Sequence, residues 1–333
     1  MKKPFAGTLL KALLGLLIVG LGLYLFLKDV DIQKLGHELK SFRIVTITLV
    51  CLFILLTLYF RALRWKYLLP DVKNASRDSL FSNVTIGFMI NNILPARIGE
   101  FARAFILWKK NRYPLTVALG TLIVERAIDT ILFLLFFALP VFILPQCAAV
   151  LMYATVAAGL VVFCCIFLLF YLRFQTAAGR IVLWITQKLP QRYRQRFSTI
   201  STELISALLW LESPRRFLSV LVLSVCTVSC YPAMIMALAR DTGTPLGLLE
   251  SMFAQACAAF GAAIPLAPGY VGTIHAAMGQ GLDILGMDKD KARALVIVYH
   301  AVNYIFITLL GLYLFFKLKL SFKEISTAKK ADC

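Results

Sequence analysis

Six long apolar runs, Thr8–Leu27, Ile44–Phe60, Leu115–Leu144, Ala148–Leu172, Phe217–Ala239 and Ala292–Phe316, set the first limit on how this chain can fold. Runs of this length cross the hydrocarbon of a bilayer as helices, and none shows the strict alternation of a barrel strand. A soluble core has no use for a chain that is 60% hydrophobic with a mean hydropathy of +0.81. The sequence therefore predicts an all-α polytopic membrane protein. The net charge of +18 belongs to that reading and not to nucleic acid, because Lys and Arg cluster between the apolar runs. That is the positive-inside pattern, with attraction to anionic headgroups. The eight cysteines lie mostly in or beside apolar segments, with no C-x-x-C, and the three histidines are scattered. This pattern suggests no disulfide framework, metal site or cofactor.

In chain order, Thr8–Leu27 resembles a signal peptide in position but lacks a small-residue cleavage site, so it is expected to be a retained span. The run Ile44–Phe60 ends in Arg61-Ala62-Leu63-Arg64-Trp65-Lys66-Tyr67, expected to be a basic and aromatic belt at the cytoplasmic interface. Residues 173–214 are strongly basic, with Ile200, Leu204, Leu208 and Leu211 at helical spacing, which predicts an amphipathic helix on the cytoplasmic surface. Six crossings then put both termini in the cytoplasm of a bacterial inner membrane.

Two segments break this regular pattern. The first is Asn91-Asn92-Ile93-Leu94-Pro95-Ala96-Arg97-Ile98-Gly99-Glu100-Phe101-Ala102-Arg103, too charged and too interrupted for an ordinary span. Pro95 stops one helix and is suited to begin another. The second is Pro265-Leu266-Ala267-Pro268-Gly269-Tyr270-Val271-Gly272-Thr273-Ile274-His275. Both contain P-x-x-x-G, and Val124–Asp129 after the first matches Val298–Asn303 after the second in residue type. Irregular backbone at membrane depth requires surrounding protein or a watery cavity. The expectation is two re-entrant helical hairpins in inverted repeat units 44–144 and 215–318, within one membrane domain, 1–333. Pro95, Gly99, Pro265, Pro268, Gly269 and Gly272 would be its hinges. The competing reading of the first segment is a cytoplasmic loop followed by a surface helix.

Ionisable groups inside a membrane are costly enough to mark function. Glu125, Arg126 and Asp129 share one arc of the third run, and His300, Asn303 and Tyr304 a similar arc of the last. Arg97, Glu100 and Arg103 follow Pro95 at i, i+3 and i+6. Two helix N-termini, after Pro95 and Pro268, would direct N–H groups at an anion, with guanidiniums suited to phosphate oxygens. Asn91, Asn92, His275 and His300 would add hydrogen bonds. In the alternative reading, Arg126 pairs with Asp129 or Glu100, and Arg97 with Glu100, as neutralised structural pairs. No nucleophile–base pair or phosphate-cradling loop appears, so no catalytic residue is assigned.

The combination N-N-x-L-P-A-R-x-G-E-x-x-R, V-E-R-x-x-D and P-x-x-P-G-x-x-G resembles the flippase-like transmembrane domain of lysylphosphatidylglycerol synthases, over about residues 10–320. Stand-alone relatives include hopanoid-associated and archaeal glycosylation-associated proteins. Full-length synthases continue into a soluble aminoacyl-transferase domain, whereas this sequence ends at Cys333. The resemblance thus implies translocation of an anionic or aminoacylated phospholipid, or a polyprenyl-phosphate lipid, and not lysyl transfer. It places the motif on Asn92, Pro95, Arg97, Gly99, Glu100, Arg103, Glu125, Arg126, Asp129, Pro268, Gly269 and Gly272. Membrane lipids are the expected partners, alongside a lipid-modifying or glycosyl-transfer enzyme, with no nucleic acid; self-association is left open. Two other functions fit the same residues: an ion-coupled carrier of a small solute using Glu125 and Asp129, and a non-transporting accessory subunit.

Overall fold

The computed structural model describes residues 4–28, 30–70, 76–94, 97–173, 190–264 and 267–320, together with Trp184, Thr186 and Lys188. Among these residues every regular element is helical. The helices are α1 (Pro4–Leu27), α2 (Ile32–Leu39), α3 (Ile44–Leu68), α4 (Arg77–Ile93), α5 (Ile98–Asn111) and α6 (Leu115–Ile143). After a 3-10 turn at Pro145–Val150 come α7 (Leu151–Arg173), α8 (Gln191–Ser206), α9 (Pro214–Asp241), α10 (Leu248–Ala263), α11 (Thr273–Ile284) and α12 (Lys289–Lys317). Among the described residues, five helical segments are long and apolar enough to cross a bilayer: α3, α6, Pro145–Cys164, α9 and α12. In α1 the described apolar stretch is Leu17–Leu27.

The two interrupted segments fold as helical hairpins with short arms. α4 has 17 residues and α5 has 14, folded back on one another. α10 has 16 and α11 has 12, again packed together. At 1.5 Å per residue none of these arms reaches across ~30 Å of hydrocarbon. Close packing of α4 on α5 depends on glycine: a Cβ on Gly99 would collide with Gly87 O and lie 2.6 Å from Asn91 Oδ1. The long helices frame the hairpins, with α3 against α9, α4 against α12, and α10 against α6.

α1 packs on α11. Gly22 lies so close to the second break that a Cβ there would sit 2.6 Å from Gly272 C. The buried Arg293 of α12 donates to Phe26 O at the end of α1 (2.9 Å) and pairs bidentately with Asp283 at the end of α11.

One boundary differs from the sequence expectation. α3 continues through Leu68, and Arg61, Arg64 and Trp65 are buried inside the bundle instead of forming an interfacial belt. The residues are spaced to share a face, so continuing the helix brings their guanidiniums to carboxylates that need compensation. Pro95 and Pro265 lie outside the described residues, as do residues 174–183 of the predicted amphipathic segment. Of the described part of that segment, α8 packs against α6, where Thr116 hydrogen-bonds Glu203. Replacing Gly99 by valine should abolish the α4–α5 seam, so the expected outcome is loss of monodisperse, folded protein by fluorescence-detected size exclusion, while Gly20→Val, in open space, remains near wild type.

Candidate functional site

Arg61 and Arg64 stand one turn apart on α3, and Glu125 and Asp129 one turn apart on α6, so each pair presents a single face. Asp129 accepts from Arg61 Nη1 at 2.8 Å and Arg64 Nη1 at 2.6 Å. Glu125 accepts from both terminal nitrogens of Arg103 on α5, at 2.9 and 3.0 Å, with Arg61 Nη1 at 3.5 Å. All five side chains are at most 4% exposed. The surrounding polar and aromatic groups complete the knot. Arg64 reaches Ser224 Oγ (3.2 Å) and Arg61 reaches Tyr231 OH (3.3 Å), both on α9. Arg103 lies over the Trp65 ring at 4.4 Å, and Trp65 Nε1 donates to Thr121 Oγ1 at 3.0 Å. Buried charges survive only with such compensation.

Next to the knot lies a cavity of about 300 Å³. Its charged lining is Arg61, Arg97, Glu100, Arg126 and Asp129; its aromatic lining includes Phe88, Phe133, Tyr231, Phe260, Tyr270, Tyr299 and Tyr304. Arg126 is 29% exposed. Its Nε lies 3.2 Å from Glu100 Oε1, within ion-pair range but off-angle for a hydrogen bond, and its Nη2 lies 3.2 Å from Glu125 Oε1. Glu100 is itself 23% exposed, so this pair opens onto the cavity more than the Arg61 and Asp129 side chains of the knot, which also line it but are at most 4% exposed.

The two helix breaks meet at this cavity. Arg97, left-handed at φ 53 and ψ 36, sends Nη2 to Ala262 O near the end of α10 (2.8 Å). No carboxylate lies in ion-pair range of Arg97 among the described residues, and its Nε has no partner. Asn92 donates to Tyr304 O (3.2 Å) and Thr308 Oγ1 (3.0 Å) on α12, while its own carbonyl accepts from Tyr304 OH at 3.4 Å. Gly269, at φ 56, approaches Asn92 O so closely that a Cβ would come to 3.0 Å from it.

The sequence-predicted site residues separate into groups. Asn91, Asn92, Arg97, Glu100, Arg126, Asp129, His300 and Asn303 line the cavity with Gly269. Arg103, Glu125 and His275 do not; the first two belong to the buried knot, and His275 stacks on His300 at 4.7 Å between centroids. Asn91 Oδ1 accepts from Gly99 N–H at 2.7 Å, which already satisfies one amide at the start of α5. Pro268 opens a 3-10 turn ending at Tyr270, and α11 starts only at Thr273, because Gly269, Tyr270 and Gly272 all have positive φ. The second helix therefore does not open at Pro268, and at the first break Asn91 occupies one of the amides expected to face an anion. Arg97 pairs with a carbonyl and not with Glu100. Asn303 donates to Tyr299 O in its own helix (2.8 Å). The sequence places Arg61 and Arg64 at the membrane interface and gives Tyr231 no role; the i, i+3 spacing shows that the two arginines share a face but not that the face points inward.

A helical bundle with five bilayer-length apolar helices and a charged cavity between two interrupted hairpins defines a multi-pass membrane protein. More particularly, the chain belongs to the family described as the lysylphosphatidylglycerol synthase TM region, which matches residues 12–311. It is similar to a UPF0104 membrane protein of Methanothermobacter thermautotrophicus, 26% identical over 284 residues, covering 80% of this chain and 83% of that one. It is also similar to UPF0104 membrane protein MJ1078 of Methanocaldococcus jannaschii, at 20% identity over 68% of this chain and 93% of that protein. MJ1595 of the same organism is 38% identical over a shorter stretch of 76 residues, 22% of this chain and 23% of that protein.

The knot and the cavity rim should respond differently to mutation. Asp129→Leu removes the carboxylate bonded by both Arg61 and the fully buried Arg64 and is expected to cost about 3–5 kcal/mol. Arg126→Gln, at a part-exposed pair, is expected to cost no more than about 1 kcal/mol. Thermal unfolding of both variants in the same detergent checks the contrast.

Proposed function

We propose that this protein is a flippase-like carrier that passes the headgroup of an anionic or aminoacylated phospholipid, or of a polyprenyl-phosphate lipid, across a bacterial inner membrane. The observation that carries the reading is the junction of the two helix breaks at a cavity whose exposed charges are Arg97 and the Arg126–Glu100 pair. Interrupted helices meeting at a polar pocket are how membrane transporters hold a solute at mid-depth, where intact spans offer no free polar groups.

In this reading units 44–144 and 215–318 of a single membrane domain are related by inversion, both hairpins are re-entrant, six crossings complete the topology and both termini are cytoplasmic. The headgroup phosphate takes the guanidinium of Arg126, which now has Glu100 Oε1 3.2 Å from its Nε and donates through Nη2 to Glu125 Oε1 at 3.2 Å. Acyl or prenyl chains stay in lipid while the headgroup occupies the cavity. The knot of Arg61, Arg64, Arg103, Glu125 and Asp129 keeps α3, α5, α6 and α9 together as one body during the cycle. Alternating access then comes from movement of the second hairpin against that body. A lipid-modifying or glycosyl-transfer enzyme at one membrane face would supply or consume the lipid.

Leaflet exchange in reconstituted vesicles tests this. A charge-assisted hydrogen bond contributes about 1.5–3 kcal/mol, so Arg126→Gln should slow exchange of an anionic lipid roughly 10- to 100-fold, with melting near that of the wild type. Exchange by the wild-type protein no faster than in protein-free vesicles, or by the variant as fast as by the wild type, would remove the proposal.

A further inference from the structure

The charge count at the site narrows the ligand. Arg61, Arg64, Arg97, Arg103 and Arg126 converge here, against Glu100, Glu125 and Asp129 alone. Five guanidiniums against three carboxylates leave two positive charges without a counter-ion among the described residues. Their location is as informative as their number. Arg61, Arg64, Arg103 and Arg126 all contact Glu125 or Asp129, and Arg126 also lies 3.2 Å from Glu100, so these four arginines exceed the three acids by one. Arg97 is the other excess charge, held by a carbonyl oxygen and with a buried Nε that has no partner. Both Arg97 and Arg126 line the 300 Å³ cavity, as does Arg61 from the knot. Uncompensated charge in a low-dielectric interior is unstable until an opposite charge arrives.

Resting on the carrier reading above, we infer that the ligand is a lipid phosphomonoester, entering as a dianion that bridges Arg97 and Arg126. A terminal phosphate with second pKa about 6 carries nearly two negative charges at neutral pH and offers three acceptor oxygens. Two of them would face the two guanidinium forks. A phosphodiester brings one charge and would leave the site cationic. A lysylated headgroup brings net positive charge and would add to the excess. The aromatic and alanine lining around these two arginines, with Phe260, Tyr270, Ala258 and Ala259, suits the first carbons of a lipid better than a second charged substituent.

The test compares two lipids differing by one methyl group, dihexanoyl phosphatidic acid and dihexanoyl phosphatidylmethanol, for binding to the full chain in detergent at about pH 8, where the former is a dianion. The monoester should bind at least about tenfold more tightly. In Arg97→Gln that preference should fall to about twofold or less, and Arg97→Lys should retain most of it. Wild-type protein binding both lipids alike, or the diester more tightly, overturns the inference without needing any variant. Glycerol 3-phosphate is the third arm: binding as tight as the lipid monoester's would assign the site to a soluble phosphate and overturn the lipid part. Leaflet exchange of the same two lipids separates this inference from the carrier reading. Exchange without preference for the monoester retains the carrier and overturns the ligand class; tight monoester binding with no exchange of either lipid does the reverse.

Discussion

Five arginines and three acids gathered inside the helical bundle impose more on this molecule than its apolar surface does. Helix association in lipid gains nothing from hiding one greasy side chain against another, so specificity must come from close packing and polar contacts. Here the polar contacts are ionic. Arg64, with no exposed surface, cannot leave Asp129 without stranding both charges, and Arg103 cannot leave Glu125. The register of α3 against α6, and of α5 against α6, follows from that necessity. An arginine's planar fork fits a carboxylate in two places at once, which a lysine does not, and Arg103 uses both.

Glycine supplies what the ion pairs need in order to meet. Gly87 has no room for a side chain because the Arg103 stem runs across it on the way to Glu125. Gly99 lies against Gly87 O, letting α5 come close enough for that stem to reach. Asn91 closes the same turn by accepting from Gly99 N–H. Local backbone freedom, hairpin closure and the central ionic cluster are thus one connected arrangement, and the cavity is what remains beside it when the second hairpin packs on.

Most of the helical plan was legible because hydropathy and Pro/Gly interruption are local signals. The runs at 115–144 and 217–239 match α6 and α9 to within a few residues, and both interrupted segments are hairpins of short helices. Glu125 and Asp129 stand out as carboxylates inside the apolar run 115–144, and the spacing that puts them on one face also fits the buried ion pairs they form. Arg61 and Arg64 were harder. A basic cluster that ends an apolar run is the ordinary mark of a membrane interface, and only the partner helix, distant in sequence, reveals that these two point inward. The second break misled differently: Pro268 is a normal helix opener, but positive φ at Gly269, Tyr270 and Gly272 postpones the helix to Thr273. Tyrosine seldom adopts that conformation, so the residue type gave no warning.

The contact between Gly22 and Gly272 has a mechanical corollary. With backbone touching backbone there, and the far end of α1 pinned by Arg293 at Phe26 O, the first helix is seated at two points on the second hairpin and its neighbour. A swing of the 268–272 turn has no slack to absorb it. α1 would be carried along as a lever with its fulcrum at the arginine, passing motion of that turn to the opposite end of the same rod.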